Sequence, residues 1–146
     1  MSYTNLLYHI VFGTKGRFPY ITNELKPRLH EYLGGTVRGL GGVAFNVNGM
    51  SKHVHLLVKI KPTMSISNFV KELKANSSKW TSDATNANFA WQRRYGAFTV
   101  SESQFKIVQN YILNQEQHHA KFNLKHELES LLKANGIEID EYLWKE

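Results

Sequence analysis

The chain has 146 residues, of which 42% are hydrophobic and 12% aromatic, and this composition indicates one folded domain over residues 1–146. It contains no cysteine, which excludes disulfide bonds, thiolate metal sites and cysteine nucleophiles. Lys and Arg outnumber Asp and Glu by 18 to 12, and the net charge of +6 favours a polyanionic partner, nucleic acid first. No apolar run approaches the roughly 20 residues of a membrane span, and the N-terminus lacks the pattern of a signal peptide. We therefore expect a cytoplasmic protein with no membrane partner.

The chain begins with a predicted strand and a predicted helix. Residues 3–14 are rich in Tyr, Leu, Ile, Val and Phe, which is typical of a strand, and His9 within it is expected to be structural. A helix is predicted from a cap at Thr22 or Asn23 to about Arg38, because leucines recur there at helical spacing.

A hairpin is predicted next. Residues 43–48 alternate apolar and polar side chains, which is typical of a half-buried strand. Asn48-Gly49 is a strong turn signal, and residues 51–60 form a more apolar run that predicts a buried strand. The two strands are therefore expected to pair as antiparallel neighbours.

The second half of the chain predicts helices around one further strand. A second helix is predicted over residues 65–83, a strand over 95–100, a third helix over 101–119 and a last helix over 124–134. The tail that follows carries Tyr142, Leu143 and Trp144, so we expect it to dock on the domain.

The order of these elements predicts an α+β fold. Strand, helix, strand, strand, helix, strand is the split βαββαβ arrangement of ferredoxin-like and RRM-like domains. Such a domain has an antiparallel sheet with helices on one face, here with extra C-terminal helices. The strand that contains residues 51–60 is the third in sequence and is expected inside the sheet.

Two histidines on this third strand form a candidate metal site. His53 and His55 flank Val54, so both imidazoles point to the same face of the strand, with their Cα atoms about 6–7 Å apart. Both rings can then reach one metal ion. A half-buried, purely structural pair is the alternative, because histidines often take such positions.

The third predicted helix offers two further polar side chains. At 100° per residue, Phe105, Val108 and Ile112 define its buried stripe. Tyr111 and Gln115 are four residues apart and lie together on the flank of that stripe. Tyr111 can supply a phenolic oxygen and Gln115 an amide oxygen, although each is also common at the edge of an ordinary amphipathic helix.

These motifs, taken in order, resemble a known family. His53-Val54-His55 resembles the HUH motif (His, hydrophobic, His) of the single-tyrosine transposases of the IS200/IS605 type and their REP-associated relatives. Residues 91–101, WQRRYGAFTVS, resemble the stretch that leads into the tyrosine helix of this family. Tyr111 followed four residues later by Gln115 matches its tyrosine-glutamine pattern. Ser51-Lys52 departs from the Pro-Asp that many members have before the histidines.

The resemblance implies a function and a set of site residues. His53, His55 and Gln115 would bind a divalent metal, Mg²⁺ or Mn²⁺, and Tyr111 would be the nucleophile. The enzyme would cleave and rejoin single-stranded DNA, with hairpins near its sites, through a 5′-phosphotyrosine. The family also implies a homodimer, with Tyr111 acting on its own or on the partner's site, and a place in the prokaryotic nucleoid.

Basic and aromatic side chains are candidates for the DNA path. A polyanionic strand needs a track of cations, and its bases can stack on aromatic rings. Phe18, Trp91 and Tyr95 are the candidate stacking residues. The candidate backbone contacts are Lys15, Arg17, Lys52, Lys74, Lys79, Arg93 and Arg94.

Three other interpretations were weighed. A binding module without chemistry shares this topology, but RNA-recognition domains place aromatics on the central strands, where this chain has His53 and His55. A two-histidine phosphoesterase needs a second His motif, which His118-His119 does not resemble. A domesticated transposase that only binds single-stranded nucleic acid remains the alternative to an active enzyme.

Overall fold

A four-stranded antiparallel sheet in the order β2-β3-β1-β4 organises the protein. The computed structural model describes residues 2–140, so the predicted docking of Tyr142, Leu143 and Trp144 lies outside the described residues. The elements are β1 (Leu7–Gly13), α1 (Leu25–Gly39), β2 (Val43–Met50), β3 (His53–Lys59), α2 (Ile66–Thr85), β4 (Gly96–Val100), α3 (Phe105–Leu113), α4 (Gln115–Lys121) and α5 (Leu124–Ala134). This is the predicted βαββαβ order with additional C-terminal helices.

One side of the two central strands, the apolar face, carries the main core. Alternation along β1 and β3 sends a set of fully buried aliphatic and aromatic side chains to this side. Helices α1 and α2 cover it with their own leucine and phenylalanine stripes. The apolar face consists of Ile10, Phe12, Val54, Leu56 and Val58.

The other side, the histidine face, is equally buried but partly polar. The antiparallel register pairs His9 with Leu57, Val11 with His55, and Gly13 with His53. These side chains form the histidine face, and α3, α4 and α5 lie over it. The predicted helices on one face are therefore α1 and α2, and the additional helices cover the opposite side. None of the five described helices is long and apolar enough to cross a membrane.

The turn between β2 and β3 lies two residues later than the sequence predicted. Strand β2 continues through Gly49 to Met50, and Ser51 and Lys52 make the turn. Gly49 is buried in the strand, and any Cβ at this position would collide with the carbonyl oxygen of His53, so the close approach requires glycine. The Asn-Gly pair thus marks a close approach of two strands.

The third predicted helix is divided at Asn114, whose backbone (φ −99°, ψ 28°) leaves the helical region. The amide of Asn48 donates to the carbonyl oxygens of Ile112 at 2.9 Å and Leu113 at 3.3 Å. These carbonyls at the C-terminus of α3 are thereby satisfied without a continuing helix. Tyr111 and Gln115 consequently lie on two different helices, which the periodicity did not predict.

Candidate active site

A buried carboxylate, that of Glu127 on α5, lies at the centre of the histidine face. Its side chain is 1% exposed. His55 donates from Nε2 to its Oε1 at 2.9 Å, and Nε2 of His53 lies 3.1 Å from the same oxygen. Strand β3 positions both imidazoles because residues two apart in a strand share a face. The predicted pair of histidines is therefore brought together, around a residue that the sequence did not suggest.

His9 on β1 supports His55 from the far side. Its Nε2 lies 2.8 Å from Nδ1 of His55, and the two rings stack with centroids 5.1 Å apart. Because Nε2 of His55 donates to Glu127, its Nδ1 accepts from His9 when the ring is neutral. His9 therefore fixes the orientation of His55, which fits the structural role predicted for it.

Tyr111, at the end of α3, points its hydroxyl group into the same cluster. The hydroxyl donates to Oε2 of Glu127 at 2.6 Å. Burial, together with the charge of Glu127 and this hydrogen bond, raises the pKa of the Tyr111 phenol well above its usual value. In this arrangement the phenol keeps its proton, and its release requires an additional positive charge nearby.

Gln115 is the first residue of α4 and is fully buried. Its Oε1 lies 3.2 Å from Nε2 of His53, and its Nε2 donates to Oε2 of Glu127 at 3.3 Å. The amide oxygen therefore points at Nε2 of His53. From this position both residues could contact the same metal ion. All three residues predicted to bind metal meet at one point, with the predicted nucleophile beside them.

Two further histidines, His118 and His119 on α4, approach Glu127 from above the sheet. Their Nε2 atoms lie 3.3 Å and 3.2 Å from its Oε2. Neither nitrogen makes a hydrogen bond within the described part of the chain, although both are shielded from solvent. The cluster thus contains two buried imidazole nitrogens, those of His118 and His119, that form no hydrogen bond within the described chain.

Burial controls the charge states in this cluster. It lowers the pKa of His9 to about 3 and that of His55 to about 4, and it also lowers that of His119. Burial alone would raise the pKa of Glu127, but hydrogen bonds from His53 and His55 reverse this and hold it below its usual range. At neutral pH the anionic carboxylate of Glu127 therefore lies beside the neutral imidazoles of His9 and His55.

Such a donor set fits a divalent cation. His53, His119 and Glu127 each present a ligand atom, and these atoms all lie within 4.8 Å of one another. Neutral imidazole nitrogens and a carboxylate oxygen are common metal ligands in proteins. The residues of the cluster are therefore compatible with the metal that the sequence implied.

A family model described as "Transposase IS200 like" matches residues 2–115. This chain belongs to the IS200-like transposase family. The ISDra2 transposase TnpA of Deinococcus radiodurans is 28% identical over 117 residues, which cover 75% of this chain and 84% of the relative. The IS200 transposase of Salmonella typhimurium is 30% identical over 119 residues, which cover 76% of this chain and 77% of the Salmonella protein.

Two solved structures have the same fold as this transposase. A candidate transposase of Deinococcus radiodurans R1 superposes with a TM-score of 0.65 at 29% identity, over 78% of this chain and 93% of that one. A REP-associated tyrosine transposase bound to a REP hairpin superposes with a TM-score of 0.58 at 13% identity, over 83% and 71% of the two chains. The antiparallel α+β fold is confirmed by both.

The predicted DNA-contacting residues of the transposase lie in different places. Arg17 and Arg94 line a cavity of about 140 Å³ that also reaches His53, between the sheet and α5. Arg94 is paired with Asp140 at 3.1 Å across this cavity. Lys15, Lys52 and Arg93 are exposed near the same end of the sheet. Lys79 lies on α2, behind the apolar face, and is not brought to the site.

Lys74 has a defined structural contact. Its ammonium group donates to the carbonyl oxygens of Gln92 at 2.7 Å, Arg93 at 3.2 Å and Arg94 at 2.9 Å. These bonds hold the loop before β4, from which the side chains of Arg93 and Arg94 project. These three carbonyls already accept from the Lys74 ammonium group, which disfavours a direct DNA contact. That contact stays a prediction.

The three aromatic side chains considered for base stacking also differ. Trp91 is 8% exposed and donates its indole N–H to Ser77 at 2.9 Å, so it belongs to the core. Phe18 is 61% exposed and Tyr95 is 37% exposed. Only the last two present a ring surface to which a base has access.

The sequence reasoning missed Glu127 and the roles of His118 and His119 in the site. Glu127 occupies the buried side of α5, between leucines at positions 124 and 128, where a carboxylate departs from the apolar pattern. A charged residue on the buried stripe of a helix was thus the available signal. The adjacent histidines of α4 were a second signal, because they are the only ring side chains of an otherwise hydrophilic helix and could have indicated the side that faces the sheet.

Proposed function

We propose that this IS200-like transposase cleaves and rejoins single-stranded DNA through a covalent intermediate on Tyr111. The observation that carries the proposal is the convergence of Tyr111, His53, His55 and Gln115 on one buried point. These residues come from a strand and two helices that are separated in sequence. A purely structural cluster would have no need of a tyrosine hydroxyl aimed at the centre of a group of potential ligands.

The covalent intermediate explains how the strand can be rejoined without an energy source. The Tyr111 oxygen attacks phosphorus and loses its proton, while the bond to the 3′ oxygen breaks and that oxygen gains a proton. The products are a 5′-phosphotyrosine and a free 3′ hydroxyl, so the energy of the phosphodiester is conserved. Attack by a 3′ hydroxyl on the phosphotyrosine reverses the exchange and restores Tyr111.

A divalent metal, Mg²⁺ or Mn²⁺, would be held by His53, His55 and Gln115. Bound there, it would neutralise charge on the scissile phosphate and orient it for in-line attack. The histidine content of the site favours Mn²⁺ in vitro. The Nε2 atoms of His118 and His119 are shielded from solvent and make no hydrogen bond within the described chain, which supports a cation at this point.

The other side chains of the cluster would position and assist these groups. His9 would orient His55 through its ring nitrogen, as partners of metal-binding histidines commonly do. Glu127 accepts a 2.6 Å hydrogen bond from the Tyr111 hydroxyl, which directs the phenolic oxygen toward the centre of the site. Tyr111 therefore approaches the phosphate in a fixed direction.

The substrate that we propose is single-stranded DNA that carries a hairpin. The REP-associated relative was solved with a REP hairpin bound, and the present chain shares its fold. Arg17 and Arg94 at the cavity beside His53 would contact the DNA backbone, and the exposed Phe18 and Tyr95 rings would stack bases. An unpaired strand leaves the phosphate open to attack from the sheet.

The predicted homodimer remains a proposal for this chain. Helix α3 carries two exposed apolar side chains, Ile107 at 62% and Leu113 at 56% exposure, which a second subunit could cover. Light scattering coupled to gel filtration would measure the mass of the particle, and a single 16.8 kDa species at all concentrations would contradict the proposal.

A covalent-adduct assay tests the proposed chemistry. Purified protein is mixed with end-labelled single-stranded oligonucleotides that carry the hairpins flanking its gene, with Mn²⁺ or with EDTA, and resolved on denaturing gels. We expect a metal-dependent protein–DNA adduct that is absent from Tyr111→Phe and present in Tyr3→Phe, whose ring is 94% exposed. An adduct that persists in Tyr111→Phe would refute the assignment. Binding with no adduct under any divalent metal would instead favour the binding module without chemistry.

A further inference from the structure

We propose that Glu127 and His119, which lie beyond the family-matched residues 2–115, are themselves metal ligands of this transposase. This inference rests on the proposed function, in which His53, His55 and Gln115 hold a divalent cation. It adds a carboxylate and a third imidazole from the C-terminal helices. The metal site would then span the sheet and its cover rather than the sheet and the tyrosine helix alone.

The distances around Glu127 match the edges of a coordination shell. Ligand atoms about 2.0–2.1 Å from a cation lie about 2.8–3.0 Å from their neighbours in octahedral geometry and about 3.3–3.4 Å in tetrahedral geometry. Oε1 of Glu127 lies 3.1 Å from Nε2 of His53 and 2.9 Å from that of His55. Oε1 of Gln115 lies 3.2 Å from Nε2 of His53. The same groups can therefore face one ion with little movement.

The approach of His119 favours coordination over hydrogen bonding. Its Nε2 lies 3.2 Å from Oε2 of Glu127, but the nitrogen makes no hydrogen bond among residues 2–140. A buried ring nitrogen without a partner is costly unless something else satisfies it. His119, His53 and Glu127 present three donor atoms within 4.8 Å of one another, close enough for small side-chain rotations to bring all three onto one cation.

The buried negative charge of Glu127 also supports a metal ion at this position. A carboxylate that is 1% exposed needs compensating positive charge, because removing an unpaired anion from water is expensive. Within the described chain, its ion-pair partners at 4.0 Å or less are histidines only, with no Lys or Arg among the recorded pairs. A divalent cation supplies that charge, and three imidazoles with one carboxylate suit Mn²⁺ or Zn²⁺ better than Mg²⁺.

Helix α5 is built to hold Glu127 in place. Leu124, Leu128 and Leu132 recur every four residues and line the cavity over Val11 and Phe98 of the sheet. Asn123 caps the helix by accepting from the backbone N–H of His126 at 2.8 Å. The capped helix therefore turns its half-buried leucine stripe, and Glu127 with it, toward the sheet.

Metal binding by the DNA-free protein tests this inference. Apo-protein is titrated with Mn²⁺, and free Mn²⁺ is followed by electron paramagnetic resonance, for wild type, Glu127→Gln, His119→Gln and the control Glu129→Gln. Glu129 lies two positions further along the same helix and makes no hydrogen bond or ion pair with the cluster within residues 2–140. We expect Glu127→Gln to weaken Mn²⁺ binding at least tenfold and His119→Gln to weaken it measurably, with the control unchanged.

Two outcomes would overturn the inference. Unchanged or tighter Mn²⁺ binding in Glu127→Gln would mean that the carboxylate fills the site instead of contributing to it. A wild-type protein that binds no Mn²⁺ or Zn²⁺ would also refute it. Circular dichroism checks the fold of each variant, and Glu127→Asp, which keeps the charge, serves if Glu127→Gln does not fold.

The adduct assay on the same preparations separates the two proposals. Wild-type protein that binds Mn²⁺ through Glu127 but forms no adduct with any oligonucleotide would contradict the proposed function and leave the metal site intact. An adduct in wild type, with equal Mn²⁺ affinity in wild type and Glu127→Gln, would support the function and refute the role of Glu127.

Discussion

The two faces of the central strands are equally buried and chemically opposite. On the apolar face, Ile10, Phe12 and Leu56 are fully buried against α1 and α2. On the histidine face, His55 is as inaccessible, and it meets polar groups from α3, α4 and α5. Alternate residues of the same two strands thus supply an apolar core and a buried polar cluster.

This difference shows how one sheet can separate stability from chemistry. The apolar face gains free energy from area removed from water, which does not depend on direction. The histidine face consists of hydrogen bonds and charges whose value depends on orientation and on what else is bound. Changes on one side should therefore alter the free energy of unfolding, and changes on the other should alter pH response or ligand binding.

The largest effect on stability is expected from the apolar face. Leu56→Ala removes a fully buried side chain and leaves a cavity, so the free energy of unfolding should fall by about 2–5 kcal/mol. Urea denaturation followed by circular dichroism measures this loss. A loss below 1 kcal/mol would show that this face is less tightly packed than its burial indicates.

A smaller loss is expected where a cation ties a loop to a helix. Lys74→Met keeps the length of the stem but removes the donors to the three carbonyls of residues 92–94, and the free energy of unfolding should fall by about 1–3 kcal/mol. Lys71→Met, on the exposed side of the same helix, is the matched control. Equal stabilities of the two variants would contradict the structural role of Lys74.

The pH dependence of stability separates the histidines by region. Burial, and secondarily Lys26, lowers the pKa of His30 on α1 to about 4, and its Nε2 has no hydrogen-bond partner in the described chain. Above pH 6.5 the ring is neutral in both states, and between pH 6.5 and 4 only the unfolded state takes up a proton. Its contribution to stability is therefore complete above pH 6.5 and lost as the pH falls.

His30→Gln should accordingly remove about 1–2 kcal/mol of the loss in unfolding free energy between pH 7 and pH 5. Denaturant titrations at the two pH values measure it. The pH dependence that persists in this variant belongs to the histidine face, where burial lowers the pKa of His9 and His55. An unchanged pH dependence would place the whole effect on that face.

The smallest effect on stability is expected at the surface cation nearest the histidine face. Arg94 and Asp140 form an exposed pair, so Arg94→Gln should change the free energy of unfolding by less than about 0.5 kcal/mol. Its effect should appear in binding, as weaker affinity for single-stranded DNA and a salt dependence reduced by about one phosphate contact. Fluorescence anisotropy across a salt series would show it, and an unaltered slope would exclude Arg94 from the DNA path.

The fold could be predicted because local patterns agree with it. The apolar run at 51–60 predicted a strand, and the patterns at 65–83 and 124–134 predicted helices; the structure contains all three elements, with α5 at the predicted residues. The break at Asn114 could not be read from periodicity, because it depends on the amide of Asn48, 66 residues away in sequence.

The site residues that could be predicted are those that lie close to one another in the sequence. His53 and His55 share a face by strand geometry, and the tyrosine-glutamine spacing gave the second pair. Glu127 meets them only through the tertiary placement of α5, which no short-range pattern determines. Lys74 shows the reverse case, because its charge suggested DNA and its surroundings supply carbonyl oxygens instead.

The position of Glu127 in the last described helix has a consequence for biosynthesis. A ribosome delivers both central strands, and with them His9, His53 and His55, well before α5 leaves the exit tunnel. Until then Tyr111 lacks the acceptor of its hydroxyl hydrogen bond, and the imidazoles lack the anion on which they converge. A chain that lacks α5 therefore lacks both of these hydrogen-bond partners, whatever the state of its sheet.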